Sequence, residues 1–217
     1  MRIAFKIAGI LFAVFALSGC LKIPQESIHI QRYAIEPVGD FSVAGMTLNI
    51  SVRVLPFGAD AVYQGNRIVY QNRYGETNYY FYHRWAAPVE LQFANLLSSN
   101  LMRWGFFGAG VWQSDKGILP DYEIEGRLNA LYAVNQRSDS RAMLEVTVNI
   151  FYLNPATLGK ELVFQKQYAM RAPRDDENVA SFIQAVNNLS GLWLQQVRND
   201  LGPFFIQDIA KRNTRTE

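Results

Sequence analysis

Cysteine and histidine are nearly missing from this sequence: one Cys, Cys20, and two His, His29 and His83, among 217 residues. A lone cysteine excludes an intramolecular disulfide, so the fold must rest on its core. Neither histidine sits in a metal-ligand spacing, and no Gly-rich loop ends in the Lys-Ser/Thr pair that cradles phosphates. Serines occur without a Gly-Xaa-Ser-Xaa-Gly elbow. Glu123 and Glu125 are two apart on one strand face, a spacing that fits a solvated face better than an acid–base pair. No basic run suggests nucleic acid, and charges of both signs are scattered. The expectation is a protein that is not an enzyme and that uses neither metal nor cofactor.

Long apolar runs are also missing. Ile7–Leu17 is apolar and uncharged for eleven residues, whereas a membrane-spanning helix needs about 20. With Arg2 and Lys6 before it and Ser18-Gly19 after it, the stretch has the form of a cleaved export signal. Leu17-Ser18-Gly19-Cys20 resembles the lipobox of bacterial lipoproteins, where the cysteine becomes the acylated N-terminus. A cysteine suits that role because a thiolate is a strong nucleophile toward the diacylglycerol donor. The resemblance implies residues 1–19 as signal peptide, a diacylglycerol and acyl modification at Cys20, and residues 20–26 as a lipidated tether. Leu21 follows the cysteine instead of the Asp associated with inner-membrane retention, which implies the periplasmic face of the outer membrane.

Removing residues 1–19 leaves 198, enough for one domain with a sizeable core. Arg2 and Lys6 go with the signal, so 21 basic residues become 19 against 19 acidic. The mature chain is close to neutral.

Alternation of apolar and polar residues marks strands over 28–35 and 46–55, and a helix opens with Pro88 at its first position and ends at Gly105. That helix carries Val89, Phe93, Leu96, Leu97, Leu101 and Trp104 as one stripe. Val111–Ser114 forms a short strand. Tyr122–Val134, Ala142–Leu153 and a third strand through Leu162, Phe164 and Tyr168 form an antiparallel meander. A last helix begins after Asp175-Asp176-Glu177 and buries Phe182, Ile183, Val186, Leu189, Trp193 and Val197. Gly191 inside it signals close packing or simple tolerance, and Gly202-Pro203 is expected to stop it. The fold class is α+β: a single domain over 27–206, with a mixed, largely antiparallel sheet and two helices packed on one face. Residues 207–217 are expected as a polar tail.

The stretch from Tyr63 to Trp85 is dense in aromatics. Arg67–Tyr70 and Tyr79–Arg84 are expected as a β-hairpin turned by Gly75-Glu76-Thr77-Asn78. Strict alternation would put Tyr80, Tyr82 and Arg84 on one face and Tyr79, Phe81, His83 and Trp85 on the other. One face can be core. The other would expose aromatic and Arg chemistry typical of binding hot spots. Tyr79, Tyr80, Tyr82, Arg84 and Trp85 are therefore candidate partner-binding residues, with the exposed face left open.

In order, the lipobox, Arg32-Tyr33-Ala34-Ile35, Tyr63 with Arg67-Ile68-Val69-Tyr70, Tyr82-His83-Arg84-Trp85-Ala86-Ala87-Pro88 and Asp121-Tyr122-Glu123-Ile124-Glu125-Gly126 resemble the ABC-type transport auxiliary lipoproteins. That group contains the lipoprotein of the paraquat-inducible Pqi system. Tyr33-Ala34-Ile35 stands where the family has Tyr-Xaa-Leu. The resemblance implies an accessory subunit working with an MCE-type lipid-binding protein and an inner-membrane ABC transporter, moving phospholipids or related apolar molecules between membranes. It also allows a homo-oligomer. The alternative is an autonomous periplasmic lipid or ligand carrier enclosing an apolar pocket.

Overall fold

The computed structural model describes residues 29–39, 47–113, 117, 119–136 and 139–214; Cys20, the signal segment and the whole tether lie outside them. Among the described residues the order is β1 (Gln31–Tyr33), β2 (Ser51–Val54), β3 (Gly58–Ala59), β4 (Arg67–Gln71), β5 (Thr77–Trp85) and α1 (Val89–Trp104). Then come β6 (Gly110–Trp112), β7 (Tyr122–Val134), β8 (Arg141–Leu153), β9 (Lys160–Pro173) and α2 (Val179–Asn213). They form one open, mixed sheet with both helices against one face, a single α+β domain.

The sheet is organised along β7. One edge of β7 carries β8 and then β9 as an antiparallel meander. Its other edge carries three short strands end to end, all parallel to it: β2 beside Tyr122–Ile124, β3 beside Arg127–Leu128 and β4 beside Tyr132–Val134. β6 extends the sheet from β2, while β5 and then β1 extend it from β4. In β8 every second residue from Ala142 to Ile150 is fully buried, which is the alternation a half-buried antiparallel strand requires.

The helices close over that face. Gly105 ends α1 in the left-handed conformation (φ 71°), and its N–H returns to the Met102 carbonyl. Pro88, expected as the first helical residue, stands one place outside the helix as its N-cap residue. The N-cap of α2 is Asn178, whose side chain accepts from the Ser181 N–H at 2.8 Å. Gly191 is required: a Cβ there would sit 1.8 Å from the Val38 carbonyl oxygen. The core includes Trp85, Trp104 and Trp193, with Phe93, Phe182 and Phe205 among them.

Two expectations about the C-terminus are corrected. Pro203 does not stop α2, and residues 207–213 are helix instead of tail. The reason is tertiary. A mid-helix proline costs about 3 kcal/mol, but beyond it Phe205 is fully buried against Tyr122 and Phe107, with ring centroids 5.1 Å away in each case. Asp208 accepts from the Tyr122 hydroxyl at 2.8 Å and from Arg212 Nε at 2.7 Å. One turn before Pro203, Asp200 accepts from the Tyr168 hydroxyl at 2.9 Å and from Lys166 Nζ at 2.7 Å. Burial and these carboxylate bonds push both phenols well above the usual tyrosine range, so they remain donors. The first two strands are also shorter than expected, at 31–33 and 51–54.

The opposite face of the sheet is polar. Glu123 is buried there, not solvated: Arg53 Nε donates to it at 2.8 Å and Lys160 Nζ lies 2.9 Å away, also contacting Glu125. Burial raises the Glu123 carboxyl, but the bonds from Lys160 and Arg53 outweigh it and hold the group below its ordinary value of 4.5. A carboxylate depressed on folding stabilises the fold above that value and loses the contribution as pH falls through its folded pKa. Glu123→Gln is therefore expected to lower the urea midpoint at neutral pH, with the gap to wild type shrinking in acid. A gap unchanged between neutral and acid pH would remove Glu123 from the acid response.

Candidate functional site

The β4–β5 hairpin is held at its tip by Asn72, whose side-chain oxygen accepts from the N–H of Tyr74 at 2.9 Å and of Glu76 at 3.1 Å. Gly75 turns the chain there with φ 79°, so the turn falls at 72–76, earlier than the sequence suggested. Tyr74 is exposed at the tip with the Arg73 guanidinium 4.7 Å over its ring.

Regular pairing then breaks. Val69 faces Tyr79, yet Arg67 faces Arg84: β4 advances two residues while β5 advances five. The extra residues form a wide bulge over Tyr80–His83. Arg84 braces it from within, its Nη1 donating to the carbonyls of His83, at 2.8 Å, and of Tyr80. Behind it, Tyr70 and Tyr80 pack with centroids 4.6 Å apart, and the Tyr33 hydroxyl lies 3.0 Å from His83 Nδ1. The bulge thus has a packed base and a fixed shape.

The five candidate residues part company on this frame. Trp85 is withdrawn from any contact surface: it is only 2% exposed, packed against Phe182 with centroids 6.2 Å apart. Tyr80 is half-buried, its hydroxyl reaching Asn135 and the Glu177 carbonyl at the head of α2. Arg84 is the brace. Tyr79 and Tyr82 are exposed, Tyr79 beneath the Arg67 guanidinium at 4.4 Å. Phe81, which alternation grouped with Trp85, is 67% exposed and meets Tyr82, 51% exposed, edge to face at 4.9 Å. The bulge breaks the period of two, so both point out of the packed base as one knuckle. Sequence reasoning missed Phe81 because a bulge braced by a side chain has no periodic signal.

Position in the molecule adds a second observation. β1 runs parallel to β5, with Gln31 beside His83. β1 therefore enters the sheet from the hairpin end, at the knuckle. The same end holds the β7–β8 loop and the head of α2, and a hollow of about 320 Å³ there is lined by Tyr70, Asn72, Arg73, Tyr74, Asn135 and Glu177. Among the described residues no group of three or more His, Cys, Asp or Glu is placed to hold a metal, and no helix is long and apolar enough to cross a membrane.

Comparison with known proteins bears on the whole domain. The profile of the family described as ABC-type transport auxiliary lipoprotein component matches residues 33–197. A crystal structure of a Xanthomonas campestris protein of the DUF330 family is similar at a TM-score of 0.66 and 14% identity, covering 83% of this chain and 99% of that one. A second, of an uncharacterised protein, gives 0.60 and 11%, covering 80% and 99%. At these identities the likeness is one of fold. No curated protein matches the sequence.

Proposed function

The chain belongs to the family of ABC-type transport auxiliary lipoprotein components, and from that premise we propose that it is an accessory subunit of an MCE/ABC-type system trafficking lipids or other apolar molecules between the inner and outer membranes. Cys20 carries the acyl anchor, and the domain stands on the periplasmic face of the outer membrane. The observation that carries this reading is the family match across residues 33–197, nearly all of the folded domain, behind a Leu17-Ser18-Gly19-Cys20 lipobox. The domain's part is to position other subunits, not to do chemistry. The packing between sheet and helices supports that division. Trp85, Trp104, Trp193, Phe93 and Phe182 fill the space in which a carrier would hold an acyl chain.

The test is affinity purification of the full-length lipoprotein from cross-linked, detergent-solubilised envelope, with Cys20→Ala in parallel. An MCE-type protein and an ABC permease are expected with the wild type and lost with Cys20→Ala, which also leaves the membrane fraction. A wild type that is firmly anchored yet recovers neither partner overturns the accessory role in favour of the autonomous carrier.

A further inference from the structure

We propose that the Phe81–Tyr82 knuckle is a second membrane contact, seated in the headgroup layer of a net-neutral phospholipid bilayer beside the Cys20 anchor. The inference rests on the reading that Cys20 is acylated. It assigns the exposed aromatics of the hairpin to lipid instead of to a protein.

The first argument is the length of chain outside the structure and where it ends. Gln31 lies beside His83 and is eleven residues on from Cys20. Fully extended, they reach at most about 40 Å; as a coil they typically span about 20 Å. The β8–β9 turn at 154–159 stands at the opposite end of β8, a 13-residue strand about 40 Å long. The tether therefore keeps the knuckle end, not the far end, near the bilayer.

The second argument is chemistry. An exposed Phe beside an exposed Tyr gives an apolar ring and an amphipathic one, the pairing that suits the boundary between acyl chains and headgroups. The Arg84 brace sets both in place beforehand, so little freedom is lost on seating. Guanidinium groups at Arg67 and Arg73 flank the site, each over a tyrosine, and can meet lipid phosphates. Exposed Asp175, Asp176 and Glu177 at the head of α2 share this end and oppose an anionic surface. The balance fits zwitterionic lipid.

The full-length lipoprotein tests this. Once acylated, Cys20 leaves no free thiol, so Phe81→Cys offers a single site for an environment-sensitive fluorophore in place of the ring, and Leu158→Cys in the β8–β9 turn is the far-end control. Each is reconstituted into phosphatidylethanolamine–phosphatidylcholine vesicles containing nitroxide-labelled lipid. The expected result is blue-shifted, quenched emission at 81 and neither change at 158. Vesicle-bound protein with no quenching at 81, or with equal quenching at both sites, overturns the proposal and leaves the anchor standing. So does a position 81 that becomes shielded only when envelope proteins are added, since a protein is then the occupant. Protein that fails to float with the vesicles, with unmodified Cys20 by mass spectrometry, overturns the anchor and the proposal together.

Discussion

Replacing Trp193 by alanine should cost about 3–5 kcal/mol of stability, the range for truncating a fully buried large aromatic. A domain of this size is stabilised by only about 5–15 kcal/mol, so the variant should unfold at markedly lower urea concentration with an unchanged slope. The reason is its place in the fold. Trp193 on α2 meets Phe93 on α1 edge to face at 5.3 Å and Phe57, which follows β2, at 6.4 Å. It is the shared partner through which the two helices and the sheet meet, and all three rings are buried. Its indole N–H has no hydrogen-bond partner among the described residues. Trp193→Phe, which keeps a ring and removes that donor, should therefore recover much of the loss. Trp112→Ala, at a side chain 36% exposed, should change little. A loss at Trp193 no larger than that at Trp112 would show that the helices are held to the sheet by other contacts.

Gly126→Ala should destabilise the fold by about 1–3 kcal/mol even though a single methyl is added, because overpacking a filled core has that cost. A Cβ on Gly126 would lie 2.2–2.4 Å from three atoms of the Phe57 ring. That ring cannot move aside cheaply: it is 3% exposed and abuts Trp193. The strand propensity of alanine is irrelevant at this scale. The prediction is sharpest as a cycle. In a Phe57→Ala background the added methyl meets open space, so Gly126→Ala should be close to neutral there, a coupling of about 0.5–3 kcal/mol measured by urea unfolding. Equal costs in the two backgrounds would mean that Phe57 is not what Gly126 makes room for.

Much of the fold could be read from the residues, and what could not has a physical cause. The meander was legible because one face of β7 and β8 is buried, forcing a period of two from Tyr122 to Leu128 and from Ala142 to Ile150. α1 was legible from its stripe and from Gly105. Gly191 left close packing and simple tolerance open, and only the Val38 carbonyl filling the space decides for the first. The end of α2 was misjudged because Gly202-Pro203 is a local stop signal, whereas Phe205 and Asp208 are held by distant partners. β3 is two residues long and carries no pattern at all. The parallel pairings of β1 with β5 and of β2, β3 and β4 with β7 join segments far apart in sequence, which local periodicity does not encode. At the candidate site the aromatic density was plain, but its division into Trp85 within the core and Phe81 and Tyr82 outside depends on the bulge. The slipped register against β4 and Arg84's bonds to its neighbours' carbonyls reveal it.

The strip of short strands along β7 also sets the order in which the chain can fold. β7, β8 and β9 are hairpin neighbours and can zip together as soon as they exist. β2, β3 and β4 are made first yet lack the β7 edge they line up along until residue 134 has emerged. Until then Val52, Val54, Ile68 and Val69, all buried in the finished domain, lack the strand that covers them, and β4 is paired only on its β5 side. The first half of the chain is thus the stretch that must be kept apart from its copies during synthesis, and completion of β7 is the event that ends the hazard.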